Sequence, residues 1–132
     1  GTMRVLGPGA EFTRFTTKGT DEKVPLPITK SFYKLVGTQT KGPKVRHNQW
    51  RYADYDGDGK LDLIAGIEDW SEYGWDDAFD AKGRWTNGPL HGFVFVFLAT
   101  ADGFAKEPLK VEAGGKPVDV YGCPSPNFAD FD

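Results

Sequence analysis

The chain has 132 residues, 39% of them hydrophobic, which is enough for one domain with a modest core. Its 17 glycines and 9 prolines leave no room for long helices, so we expect an all-β fold of short strands joined by turns. The net charge is -3, and the lack of any apolar run near the roughly 20 residues that cross a bilayer argues against membrane insertion.

Residues 1–48 form an irregular basic segment in which only residues 31–36 (SFYKLV) resemble a strand. Its cations are scattered among Thr, Pro and Gly instead of following one helix face, so we do not expect nucleic acid as a partner. Cys123 is the single cysteine, and an intrachain disulfide is therefore excluded.

Four strands are predicted after residue 48. Two short, mostly apolar strands are expected at residues 49–53 and 61–67. Residues 93–98 are continuously apolar, β-branched and aromatic, and a turn at 101–103 leads to a fourth strand around residues 109–111. This order predicts a four-stranded antiparallel meander, the size of one blade of a β-propeller.

The strongest chemical signal is the loop 54–62, in which aspartates recur at alternate positions. Alternate side chains point inward when a loop wraps around a hard cation, and neighbouring carboxylates repel one another unless an ion offsets their charge. Oxygen-only ligands favour Ca²⁺ over zinc, and magnesium fits less well because it retains water. The predicted ligands are the carboxylates of Asp54, Asp56, Asp58 and Asp62 and the carbonyl oxygen of Lys60.

Two alternatives compete with this interpretation of the loop. An EF-hand begins in the same way, but it needs a glutamate at the twelfth position and helices on both sides, and Ala65 occupies that position. An acidic, solvated hairpin without any metal is the other alternative. The apolar, β-rich run that follows favours a strand-loop-strand calcium turn over the EF-hand.

A short motif occurs twice: residues 52–56 (YADYD) recur as residues 128–132 (FADFD). Blades of a propeller cannot bury both faces of their sheets alone, so such repeats normally stack on neighbours. We therefore expect the chain to be a fragment of a larger propeller that ends inside a second repeat.

The pattern Asp-x-Asp-Gly-Asp-Gly-x-x-Asp-Leu at residues 54–63 resembles the FG-GAP or VCBS repeats of integrin-type β-propellers, of the kind found beside bacterial polysaccharide-degrading enzymes. The resemblance implies a calcium-binding blade at residues 49–126, the start of the next repeat at 127–132, and a preceding blade to which residues 1–48 contribute. It also implies a location outside the cell, in the periplasm or on the cell surface, with the remaining blades or other chains of the protein as partners.

A long aromatic insertion at residues 68–91 departs from this repeat pattern. Loops of this length in a compact domain are usually functional or disordered, and the many aromatic residues argue against disorder. Aromatic faces stack on sugar rings and arginines bind their polar groups, so a glycan or polysaccharide partner is expected. Packing of the same aromatics into a small satellite core is the alternative. The predicted substrate-binding residues are Trp70, Trp75, Trp85 and Arg46.

Whether the chain is an enzyme is left open by the sequence. Several polysaccharide lyases are built on propellers of this repeat type, and a lyase needs a cation for the uronate carboxylate, a base and an acid. The candidate catalytic residues are His47, His91, Arg84 and Tyr73. The favoured function is carbohydrate binding or processing by a calcium-stabilised propeller segment, and the alternatives are part of a polysaccharide lyase acting on acidic glycans and a protein-adhesion propeller.

Overall fold

The computed structural model describes residues 5–7, 10–16, 19–25, 45–74 and 78–129, and the side chains of residues 10–16, 19–25 and 45–48 lie outside this description. The predicted strand at 31–36 also lies outside the described residues. The described strands are β1 (Val5–Gly7), β2 (Ala10–Thr16), β3 (Gly19–Pro25), β4 (Val45–Ala53), β5 (Asp62–Asp69), β6 (His91–Phe97), β7 (Ala99–Thr100), β8 (Gly103–Phe104), β9 (Leu109–Lys110), β10 (Glu112–Ala113), β11 (Lys116–Pro117) and β12 (Asp119–Tyr121). In these ranges, no helix is long and apolar enough to span a membrane.

The main sheet is antiparallel and has the strand order β12-β6-β5-β4, with β9 also paired to β6. This confirms the predicted all-β fold and an antiparallel sheet of four ordered strands. The predicted fourth strand is β9, but it pairs only with Phe95 and Val96 of β6. Residues 91–93, on the same edge of β6, pair instead with β12. The β10-β11 hairpin separates β9 from β12 along the chain.

The two central strands, β5 and β6, are buried on both faces of the main sheet, and their apolar side chains alternate between these faces. Burying each large apolar side chain contributes roughly 1.5–3 kcal/mol. The cluster on one face consists of Trp50, Leu63, Ala65, Ile67, Phe93, Phe95 and Phe97. The cluster on the other face is centred on Ile64, Val94 and Val96.

The chain after β12 crosses the face that carries Ile64. A Cβ atom added at Gly66 would lie 2.2 Å from the carbonyl oxygen of Pro124, so only glycine allows the backbone to approach β5 this closely. Beside it, the Sγ of Cys123 donates a hydrogen bond to Oε1 of the buried Glu68 at 3.2 Å. The segment 122–126 therefore packs directly against the centre of the sheet.

A second, three-stranded antiparallel sheet is formed by β1, β2 and β3. The sequence pattern indicated no strand in this part of the chain, because residues 10–25 mix charged residues, threonines and glycines without a clear apolar face. Leu6 of β1 packs against the hydrophobic cluster that contains Trp50. The basic segment thus contributes to the core beside the main sheet.

Candidate functional site

The aspartate loop is the turn of the β4-β5 hairpin. Ala53 at the end of β4 is the direct partner of Asp62 at the start of β5, and residues 54–61 connect them. A strand therefore enters the loop and a strand leaves it. Because an EF-hand requires a helix on each side of its loop, the structure excludes the EF-hand alternative.

Asp54 holds the loop in a curled shape. Its Oδ1 accepts a hydrogen bond from the backbone N–H of Gly57 at 2.9 Å, and its Oδ2 accepts one from the N–H of Gly59 at 2.9 Å. Gly59 has a φ of +82°, a left-handed conformation that glycine adopts without steric cost. One carboxylate thus organises the next five residues of the backbone.

The next two aspartates make shorter turns of the same kind. The Oδ1 of Asp56 accepts the N–H of Asp58 at 3.2 Å, and the Oδ1 of Asp58 accepts the N–H of Lys60 at 2.9 Å. As a result, one carboxylate oxygen from each of Asp54, Asp56 and Asp58 lies within 4.8 Å of the other two. These three exposed side chains form a group that could hold a metal ion, and their donor set of hard oxygens suits Ca²⁺.

Lys60 supplies a positive charge at the edge of this group. Its Nζ forms an ion pair with Oδ2 of Asp58. This hydrogen bond is the main reason why the pKa of Asp58 lies below its usual value and the pKa of Lys60 lies above its own. The ammonium partly offsets the repulsion among the carboxylates, whereas the predicted role of the Lys60 carbonyl as a metal ligand stays a prediction.

Asp62 lies apart from the three grouped carboxylates. It is buried, its Oδ2 accepts the backbone N–H of Tyr55 at 2.8 Å, and its Oδ1 accepts the N–H of Ala99 at 2.6 Å. It therefore ties the start of the loop and the start of β7 to the sheet. Each oxygen keeps a second lone pair, so its predicted role as a fourth ligand stays a prediction beside this structural role.

Among the described residues of the connection between β5 and β6, residues 70–90, the aromatic side chains form a continuous stack of ring contacts. Tyr73 lies edge-on to Trp70, with ring centroids 5.3 Å apart, and stacks on Trp85 at 4.2 Å. Phe79 contacts Trp85 edge-on at 5.1 Å. Trp70 is 8% exposed and belongs to the core, whereas Phe79 is 58% exposed. The predicted ligand contact Trp75 lies outside the described residues.

Arg84 has a local partner. Its Nε donates to Oδ2 of Asp80 at 2.9 Å, while Oδ1 of Asp80 accepts the backbone N–H groups of Lys82 and Arg84. The hydrogen bond from the backbone N–H of Arg84 is the main cause that lowers the pKa of Asp80 below its usual value, and the hydrogen bond from the Arg84 side chain is the second. The structure thus shows Arg84 closing a tight turn, and its predicted role in catalysis is not tested.

His91 is the first residue of β6 and lies between two carboxylates. Its Nδ1 lies 2.7 Å from Oδ2 of Asp119 on β12, and its Nε2 lies 3.5 Å from Oε2 of Glu72 in the connection. Sequence reasoning missed both partners, because neither is near His91 in the chain and only the β6-β12 register and the path of the connection bring them together.

The other predicted catalytic and substrate-binding residues of this end of the sheet are on β4. Arg46 of β4 is the direct partner of Glu68 on β5, and Glu68 is in turn the partner of Gly92 on β6, next to His91. Two strand spacings of about 4.8 Å therefore separate the backbones of Arg46 and Gly92. The side chains of Arg46 and His47 lie outside the description, so their convergence with His91 and Tyr73 stays a prediction.

Comparisons with known proteins complete the description of the site. A scan against protein-family models and searches of curated proteins and of solved structures found no match to this chain. The resemblance to FG-GAP or VCBS repeats therefore depends on the motif of residues 54–63 and its partial recurrence at residues 128–132.

Proposed function

We propose that the loop 54–62 binds one calcium ion, which fixes the β4-β5 hairpin of a β-propeller blade. The observation that carries this proposal is the group of three carboxylate oxygens, one each from Asp54, Asp56 and Asp58, within 4.8 Å of one another. The blade belongs to a secreted or cell-surface protein that binds or processes carbohydrate. The strand order of the main sheet and the recurrence of the motif at residues 128–132 support the propeller part of the proposal.

The hydrogen bonds inside the loop support metal binding because they arrange the ligands before the ion arrives. Each of the three carboxylates accepts a hydrogen bond from a backbone N–H group of the loop, and this fixes where its remaining lone pairs point. Calcium takes 6–8 oxygen ligands in flexible geometry, and the exposed loop leaves room for water or carbonyl oxygens to complete that number. Magnesium requires a near-ideal octahedron and fits a loop of this kind less well.

Isothermal titration calorimetry of the chain with calcium chloride tests the proposal. We expect saturable binding with one site, weaker binding of magnesium, and at least about a tenfold loss of calcium affinity in Asp56→Asn, because a charged ligand is replaced by a neutral one. Asp102→Asn is the matched control, since Asp102 is an exposed aspartate in the turn between β7 and β8. Absence of saturable heat with the unchanged chain, or equal loss in both variants, would contradict calcium binding by this loop.

Carbohydrate binding is supported by the exposed ring of Phe79, which lies against the partly buried Trp85. A large aromatic ring that is open to solvent and held by a second ring offers a rigid platform for the apolar face of a sugar. We expect polysaccharides in a native affinity gel to retard the chain, and Phe79→Ala to lose that retardation. Tyr121→Ala is the control, because Tyr121 is 75% exposed at another place on the surface. Equal retardation of Phe79→Ala and Tyr121→Ala would show that Phe79 is not part of the binding surface.

A further inference from the structure

His91 joins three separate elements of the fold. It belongs to β6, its Nδ1 contacts Asp119 of β12 at 2.7 Å, and its Nε2 contacts Glu72 of the connection 70–90 at 3.5 Å. The side chain of His91 is 17% exposed, whereas those of Glu72 and Asp119 are 51% and 39% exposed. The imidazole is therefore the shielded centre of a contact whose outer members reach solvent.

A neutral imidazole ring cannot turn an N–H group toward both carboxylates. A neutral imidazole carries one N–H group and one lone pair, and an ionised carboxylate only accepts hydrogen bonds. With a neutral His91, one of the two carboxylates would face a lone pair and be repelled. Only the doubly protonated imidazolium turns an N–H toward Asp119 and toward Glu72 at once, so this arrangement favours the charged form.

Other titratable, charged and aromatic groups lie around His91. Asp69 of β5 and Tyr121 of β12 are its cross-strand partners, and Asp69 is buried with one oxygen accepting the N–H of Ser71. On its own strand, His91 stacks on Phe93 at 5.4 Å. The Nζ of Lys110 on β9 lies 3.8 Å from the centre of the Phe93 ring.

The balance of these effects favours the charged ring. Partial burial acts to lower the pKa of His91, but the hydrogen bonds and negative charges of Asp119 and then Glu72 outweigh burial. The pKa of His91 is therefore raised above its ordinary value of 6.5.

We propose that His91 is a proton-operated clamp: when doubly protonated it holds Glu72 of the connection and β12 onto the start of β6, and when it loses a proton it releases Glu72. This goes beyond calcium and carbohydrate binding and depends on neither. Because the folded state has the raised pKa, the stabilisation is fully present below the unfolded pKa of 6.5 and is lost as the pH rises through the raised value. The aromatic stack of the connection is thereby made more mobile at higher pH.

Nuclear magnetic resonance of the chain tests the clamp. The pKa of His91 is read from its ring protons, and protection from hydrogen exchange, corrected for intrinsic rates, is read at the amides of Gly74 and Gly88, which bond to Trp70 and Glu72 inside the connection. We expect protection at these amides to fall about two- to fivefold as His91 titrates, the size of a partly exposed charged pair. The same fall should be absent in His91→Gln.

Glu72→Gln is a second test variant, and it should fold even if His91→Gln does not, because Glu72 is exposed. This variant should lower the pKa of His91 and move the loss of protection to lower pH by the same amount. Glu112→Gln, an exposed substitution on β10, should change neither quantity. Constant protection across the titration of His91, or a fall that persists unchanged in His91→Gln or in Glu72→Gln, would overturn the clamp.

Discussion

Tyr55, inside the aspartate loop, packs edge-on against Phe128, with ring centroids 5.9 Å apart and an angle of 85° between the rings. The two residues belong to the two copies of the repeated motif, at residues 52–56 and 128–132. The chain reaches this point after it has crossed the sheet over Gly66. The start of the second copy thus supports the loop of the first.

Replacing Phe128 with alanine should therefore loosen the loop. We expect a loss of roughly 0.5–1.5 kcal/mol in the free energy of unfolding by urea, the usual size of an aromatic pair. We also expect weaker calcium binding by calorimetry, because Tyr55 lies between two proposed ligands. Leu109→Ala is the control for removing an exposed apolar side chain, since Leu109 is 49% exposed and lies on β9. If Phe128→Ala bound calcium as tightly as the unchanged chain, the contact between Tyr55 and Phe128 would not support the metal site.

Asp62→Asn should destabilise the chain even when no metal is present. The buried carboxylate accepts the N–H groups of Tyr55 and Ala99, and an asparagine amide would turn a donor toward one of them. We expect a loss of about 1–3 kcal/mol in urea unfolding with EDTA present. Asp58→Asn, an exposed substitution in the same loop, should lose much less under these conditions. Equal stability of the two variants would show that Asp62 is not an anchor of the hairpin.

Gly66→Ala tests the close packing of the segment 122–126 on the sheet. Because the added methyl group would lie 2.2 Å from the carbonyl oxygen of Pro124, we expect a loss of about 1–3 kcal/mol in urea unfolding. The same substitution in a chain that ends at Tyr121 should be much less harmful, because the obstructing backbone is gone. An equal loss in both chains would mean that the clash with Pro124 is not the cause.

Lys60→Met should strengthen calcium binding. The ammonium of Lys60 pairs with Asp58, one of the proposed ligands, and competes with the ion for its charge. We expect affinity to rise about two- to fivefold at low salt and the difference to shrink as salt screens the ammonium. Lys116→Met on the distant β11 provides the comparison, and should leave the affinity unchanged. A weaker site in Lys60→Met would mean that the lysine side chain helps to hold the loop.

The parts of the fold that the sequence predicted are those with a strong local pattern. Strands β5 and β6 follow from apolar runs, the second half of β4 follows from the pattern at residues 49–53, and the carboxylate group follows from the spacing of Asp54, Asp56 and Asp58. The strand β12 and the partners of His91 could not be predicted in this way, because they depend on the register between distant segments. The separate position of Asp62 also depends on Ala99, which is far away in the sequence.

Thermal unfolding of the chain with calcium and with EDTA tests the central claim most directly. A ligand bound only by the folded state at 100 times its Kd stabilises that state by about 2.7 kcal/mol, which corresponds to a rise in Tm of roughly 10 °C for a domain of this size. We expect this rise in the unchanged chain and in Asp102→Asn, and a much smaller one in Asp56→Asn. The same Tm in calcium and in EDTA would contradict a calcium ion that holds the hairpin.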